Sequence, residues 1–148
     1  MRNERYRVGA SDTFEIFEFV SVGPKGQIPK IIKYTSVNIP NIFNLGFGDK
    51  IADSDDFDDQ VVTDNKDSSK VLATVASTIV TFTDEYPLAR VLAKGNTPAR
   101  TRLYQIAISN NLEDISKYFK ILGLKNSVWE TFVKNQNYDA FLITRKWN

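Results

Sequence analysis

Apolar and polar positions alternate over the first third of the chain, a pattern typical of β-strands. It predicts a hairpin with arms at residues 14–22 and 27–37, joined by the glycine- and proline-containing turn at residues 23–26. The alternation slips by one position between Ile16 and Phe17. We therefore expect a register change or a bulge in the first arm.

Other short apolar segments predict the remaining strands. They lie at residues 41–49, 60–63, 91–93, 119–124 and 139–146, and most are bounded by glycine, asparagine or aspartate.

Residues 70–83 carry apolar side chains at helical spacing, after the N-cap candidate Asp67. The other side of this helix is small and uncharged, which favours a covered core helix over a surface for a partner. A second, shorter helical turn is predicted at residues 111–115.

A further helix is predicted from Pro98 to about residue 109, with Thr97 as its N-cap. Ala99, Leu103 and Ile106 lie along one stripe of it. We expect this stripe to pack inward.

These elements predict an α+β fold, with an antiparallel or mixed sheet of five to seven strands packed on two main helices. We expect a single domain over residues 1–148, in which an acidic loop, residues 49–67, separates a strand from the first helix.

The chain contains neither cysteine nor histidine. This excludes disulfides, the usual zinc sites, and catalytic arrangements built on Cys-His or Ser-His-Asp. The first ten residues are polar, and the longest uncharged apolar segment, residues 71–83, is too short to span a bilayer. We expect a cytoplasmic protein with no membrane association.

Charge is unevenly distributed along the chain. The acidic loop holds eight aspartates against two lysines, whereas residues 88–148 hold ten basic and four acidic residues. The aspartate spacing resembles a calcium loop, but it lacks the central glycine and the terminal glutamate. We therefore predict no metal and no cofactor.

The junction between the strand at residues 91–93 and the helix at Pro98 is the candidate site. It contains a glycine, an N-cap and several cations where acids usually lie, which favours an anion such as a phosphate or a carboxylate. Arg100 and Arg102 project to opposite sides of the helix, and Arg100 is the preferred ligand, while Arg102 is expected to cover surface or pair with the acidic loop. The candidate ligand-binding residues are Lys94, Gly95, Thr97, Arg100, Arg102 and Tyr104.

Several phrases of the sequence occur together in a known family. They are FVSVGPKG (residues 19–26), NLGFGD (44–49), KVLATVAST (70–78), TPARTRLY (97–104) and YDAFLITRK (138–146). In this order they resemble a family of small, single-domain bacterial proteins of unknown function. The resemblance implies a bacterial domain, and it carries no activity.

Three functions remain open. The first is a binding module whose junction seats a nucleotide, another phosphate or a partner's carboxylates. The second is an enzyme, a small nuclease or transferase of a toxin or phage-defence type, that uses Arg, Tyr and Asp; Asp58 or Asp59 facing Arg100 across a cleft would favour it. The third is a partner protein whose acidic loop imitates nucleic-acid phosphates or occupies a basic site. A disordered loop that becomes ordered only in a complex would mark it, and a loop that folds back on the protein's own basic face would count against it.

Overall fold

The structure, a computed structural model, describes residues 4–58 and 63–147 of the chain. Within these residues there are eight strands and three helices, which confirms the α+β class, with one strand more than the predicted five to seven. The strands are β1 (Gly9–Ala10), β2 (Ile16–Gly23), β3 (Gly26–Ser36), β4 (Ile42–Asp49), β5 (Arg90–Ala93), β6 (Phe119–Lys125), β7 (Val128–Thr131) and β8 (Ala140–Arg145). The helices are α1 (Ser68–Glu85), α2 (Pro98–Asn110) and α3 (Leu112–Ile115).

The strands form one mixed sheet in the order β1-β2-β3-β4-β5-β8-β6-β7. Neighbouring strands are antiparallel except β4 and β5, which are parallel. A parallel pair needs a long crossover, and the acidic loop with α1 supplies it. β5 pairs only with residues 42–45, so within the described residues no named strand continues beside residues 46–49 on that side, although the acidic loop reaches Asp49, whose carbonyl accepts from the backbone N–H of Asp58 at 2.9 Å. We call residues 46–49 the open edge of β4.

The helices cover one face of the sheet and enclose the core. Phe17, Leu45 and Val91 are fully buried on this face together with Phe82 of α1. The rings of Tyr34 and Phe82 stack with their centroids 4.1 Å apart. This confirms that α1 is the central core helix, as its uncharged sequence predicted.

The predicted hairpin is confirmed, but its slip is not. Pairing runs without interruption from Ile16 with Lys33 to Gly23 with Gly26. Phe14, which produced the apparent slip, lies before the strand in a left-handed conformation with φ 58°. The predicted strand at residues 60–63 falls almost wholly outside the described residues.

The buried face of α2 differs from the prediction. Ala99 is exposed and Ile106 is 39% exposed, whereas Arg100, Tyr104 and Ile108 are buried. The helix crosses the open edge of β4, where backbone carbonyls need hydrogen-bond donors. Arg100 and Tyr104, which carry a donor at the tip, therefore face inward, while Leu103 of the predicted stripe is partly buried and packs against the core as expected.

None of the helices in the described part of the chain has the length and apolar character needed to cross a membrane.

Candidate functional site

The loop between β5 and α2 is held tightly against the helix. Thr97 is the N-cap, as predicted, and its Oγ1 accepts a hydrogen bond from the backbone N–H of Arg100 at 3.2 Å. The backbone N–H of Gly95 donates to Thr101 Oγ1 at 3.1 Å. A Cβ on Gly95 would lie 2.4 Å from the Arg100 Cβ. Only glycine therefore allows the loop to pass this close to α2.

Arg100 reaches into the protein and bonds to backbone. Arg100 is only 9% exposed, and its Nη1 donates to the carbonyl of Phe47 at 2.7 Å. Nη2 donates to the carbonyl of Asp58 in the acidic loop. Arg100 thus satisfies a carbonyl of the open edge and fastens the acidic loop to the sheet.

Tyr104 has a similar position one turn later. Its hydroxyl donates to the carbonyl of Leu45 at 2.9 Å. Burial raises the pKa of this hydroxyl far above its ordinary value, so Tyr104 remains a neutral donor.

A surface cavity of about 620 Å³ lies beside the same loop. Its walls are the β5–α2 loop, the first turns of α2 and the segment that enters β8. Lys94, Gly95, Thr97 and Arg102 line it, whereas Arg100 and Tyr104 do not. The structure therefore brings together four of the six candidate residues and places the other two in the interior.

The cavity carries a net positive charge. Lys94 and Arg102 are exposed, and within residues 4–58 and 63–147 neither has an acidic group within 4 Å. Asp139 contributes the single carboxylate among the lining residues that are described. Two cations and one carboxylate on a shared concave surface attract an anion.

The far wall of the cavity was not predicted as part of a site. Gln105 donates through Nε2 to the carbonyl of Gln136, and its Oε1 accepts from the backbone N–H of Tyr138 at 3.4 Å. The Tyr138 ring lies under Gly123, where a Cβ would be 2.4 Å from it. One signal was present in the sequence: Gln105 follows Arg102 by three residues and so shares its face of the helix.

The described part of the acidic loop folds back on the sheet. Lys50 and Phe57 form an isolated antiparallel bridge, and the Phe57 ring lies against the glycines of β4. A Cβ on Gly46 would lie 2.7 Å from this ring. In residues 4–58 and 63–147, no three acidic side chains are grouped so that they could hold a metal ion. Asp59, named in the enzyme hypothesis, lies outside the described residues.

A buried polar cluster fixes the base of this loop, and the sequence reasoning missed it. Lys30 is 1% exposed, and its Nζ donates to Asp49 Oδ1 at 2.5 Å and to the carbonyl of Thr63 at 3.0 Å. Burial alone would raise the pKa of Asp49, but the hydrogen bonds from Lys30 and Thr63 outweigh burial and lower it.

Asp67, expected to cap α1, makes no cap hydrogen bond. Its carboxylate accepts instead from the hydroxyls of Tyr6 and Ser21, each at 2.5 Å. The N-terminal segment is thereby attached to the start of α1.

No curated protein and no solved structure matches the chain. A family model with the description "Family of unknown function (DUF6934)" matches residues 2–146 of the 148 residues. The match spans nearly every residue of the fold described above, and the chain therefore belongs to this family of unknown function.

Proposed function

We propose that the protein is a single-domain binding module that holds a phosphate-bearing ligand in the cavity beside the β5–α2 loop. The observation that carries this proposal is the pair of exposed cations, Lys94 and Arg102, which line one concave surface without acidic partners in the described chain. The volume of about 620 Å³ lies within the range of small-molecule sites, roughly 300–1,000 Å³.

Each side of the cavity supplies a different contact. The planar guanidinium of Arg102 suits two phosphate oxygens at once, and the Lys94 ammonium adds a point charge. Asn137 and Asp139 on the opposite wall offer hydrogen-bond groups for a sugar or another hydroxyl-bearing part of the ligand. This division of charge favours a nucleotide or a sugar phosphate over a bare anion.

Arg100 and Tyr104 have a supporting role in this proposal. They hold α2 against β4, Arg100 through the carbonyl of Phe47 on the open edge and Tyr104 through that of Leu45 just before it, and Arg100 also packs against Gly95. The proposed contact residue is therefore Arg102, although helix geometry in the sequence favoured Arg100.

Isothermal titration with inorganic phosphate, nucleoside monophosphates and nucleoside triphosphates tests the proposal. We expect measurable binding of at least one nucleotide, weakened about 10- to 100-fold in Arg102→Ala, since a hydrogen bond to a charged group contributes about 1.5–3 kcal/mol. Lys134→Ala is the matched control, because Lys134 is an exposed cation outside the cavity lining. Equal affinities for the wild type and a Lys94→Ala/Arg102→Ala double variant would refute the proposal.

One observation supports the enzyme alternative. Asp139 lines the same cavity as Arg102, so a carboxylate and a cation face one ligand space. In this alternative Asp139 acts as a general base during phosphoryl or nucleotidyl transfer, while Arg102 stabilises the developing charge. Hydrolysis of a nucleotide or a phosphodiester that Asp139→Asn abolishes without loss of ligand affinity would favour it. Arg100 does not contribute here, because its guanidinium is bonded to backbone carbonyls.

The partner-protein alternative is less favoured. A loop that folds back on its own chain at a basic residue counts against it: the Phe57 ring lies against the glycines of β4, and the carbonyl of Asp58 accepts from Arg100. The cytoplasmic location and the bacterial origin remain predictions from the sequence.

A further inference from the structure

The sheet face opposite the helices carries a row of leucines. Leu92 pairs with Leu142, and Leu142 pairs with Leu122, on three adjacent strands. Their chain neighbours Val91, Ile143 and Ile121 point into the core, so the pleat directs the three leucines to the other face. All three leucines are partly exposed. Such a face is normally polar when it meets water.

Positive charge lies on one side of this leucine row. Arg90 and Lys120 are each two residues from a row leucine, and both pair with Thr144, so they flank Thr144 on the same face. Both are exposed, and neither has an ion-pair partner within the described residues.

Negative charge lies on the other side. The acidic loop covers β3 and β4 on this face, through the Phe57 ring against Gly46 and a contact of 3.8 Å between Lys33 and Asp56. Asp53 and Asp55 project from it and are exposed; Lys50 lies near both, but within the described chain neither has a cation within 4 Å. The loop lies on the β4 side of the leucine row. It is near the end of β4 that is far from Ile42, the residue that pairs with Arg90.

From this arrangement we propose that the leucine face binds a second copy of the same chain. A two-fold axis between two such faces places the two leucine rows against each other. It also brings the acidic loop of each chain to the Arg90 and Lys120 of the other chain. A surface with an apolar centre and opposite charges on its two sides is self-complementary, as a two-fold interface requires. This proposal is independent of the phosphate site, because the cations of the face and those of the cavity are different residues.

The area of the face sets the expected affinity of the dimer. The five strands β3, β4, β5, β8 and β6 at about 4.8 Å spacing, with about six residues each at about 3.3 Å, give a face of roughly 24 by 20 Å. This is small for a stable interface, in which each partner buries about 800 Å². We therefore expect a dimer that dissociates on dilution and weakens with salt, since its charged contacts lie at the rim.

Sedimentation velocity of the full chain, from about 5 to 500 µM, tests the proposal. We expect the mass to rise from one chain to two, and Leu142→Glu to remain at one chain throughout. Ile106→Glu is the matched control, because Ile106 is similarly apolar and exposed but lies on α2, on the opposite side of the sheet. It should dimerise as the wild type does, and circular dichroism should show that both variants are folded.

Charge reversal decides the outcome if Leu142→Glu fails to fold. Arg90→Glu/Lys120→Glu should raise the dissociation constant at least tenfold, and adding Asp53→Lys/Asp55→Lys should restore dimerisation. A wild-type protein that stays at one chain mass at 500 µM overturns the proposal. So does an assembly larger than two chains, or a dimer that the reversed charges leave unchanged.

Discussion

Replacement of Arg100 by alanine tests the structural role assigned to its buried guanidinium. The change removes the charge-assisted hydrogen bonds to the carbonyls of Phe47 and Asp58, and leaves the Phe47 carbonyl without this donor. A hydrogen bond to a charged group contributes about 1.5–3 kcal/mol. We assign a contribution to stability of about 2 kcal/mol to the buried bond with Phe47, and of about 1 kcal/mol to the partly buried bond with Asp58.

The expected loss is therefore about 3 kcal/mol of the free energy of unfolding, or roughly 6–12 °C in Tm for a chain of this size. Equilibrium unfolding in urea, monitored by far-UV circular dichroism, measures it. Arg102→Ala is the matched control on the same helix, and its exposed side chain should cost less than about 0.5 kcal/mol. Equal stabilities of the two variants would show that the carbonyl contacts of Arg100 contribute nothing to the fold.

Three further changes test the loop, the buried ion pair and the helix cap. Gly95→Ala should destabilise by about 1–3 kcal/mol in thermal unfolding, because the new Cβ would lie 2.4 Å from the Arg100 Cβ; a neutral effect would contradict the close approach. The pKa of Asp49 is lowered in the folded state, since its bonds to Lys30 outweigh burial, so its stabilisation is present above the unfolded pKa and is lost as pH falls through the folded value. Urea titrations below about pH 4 should show this loss in the wild type, and Asp49→Asn should reduce the slope; identical slopes would refute it. Thr97→Ala should cost about 1 kcal/mol through loss of the N-cap, whereas Thr97→Ser should restore most of it.

The elements that the sequence predicted correctly are those whose pattern is local. The alternation of β2 and β3, the apolar period of α1 and the Thr97-Pro98 start of α2 each lie within a few consecutive residues. The strands β1 and β7 escaped prediction because β1 has only two residues and the four residues of β7 are all exposed, so neither shows an alternation of buried and exposed positions.

The face of α2 could not be predicted from its own residues. Arg100 is buried because it donates to a carbonyl 53 residues earlier in the chain, at a position of β4 that the shorter strand β5 does not reach. The cavity has the same origin. Lys94 and Arg102 could be listed as cations near a helix start, but Asp139 on the facing wall enters only through the pairing of β5 with β8.

The parallel contact of β4 with β5 also divides the sheet into two antiparallel halves, β1–β4 and β5–β8–β6–β7. In the described part of the chain, four residue pairs join these halves through the sheet, and Arg100 and Tyr104 add donors from the second half to β4 of the first. These two side chains therefore connect the two halves of the sheet at their junction. Cooperative unfolding of the two halves depends on the contacts at this junction, so weakening them should let one half exchange its amide hydrogens before the other.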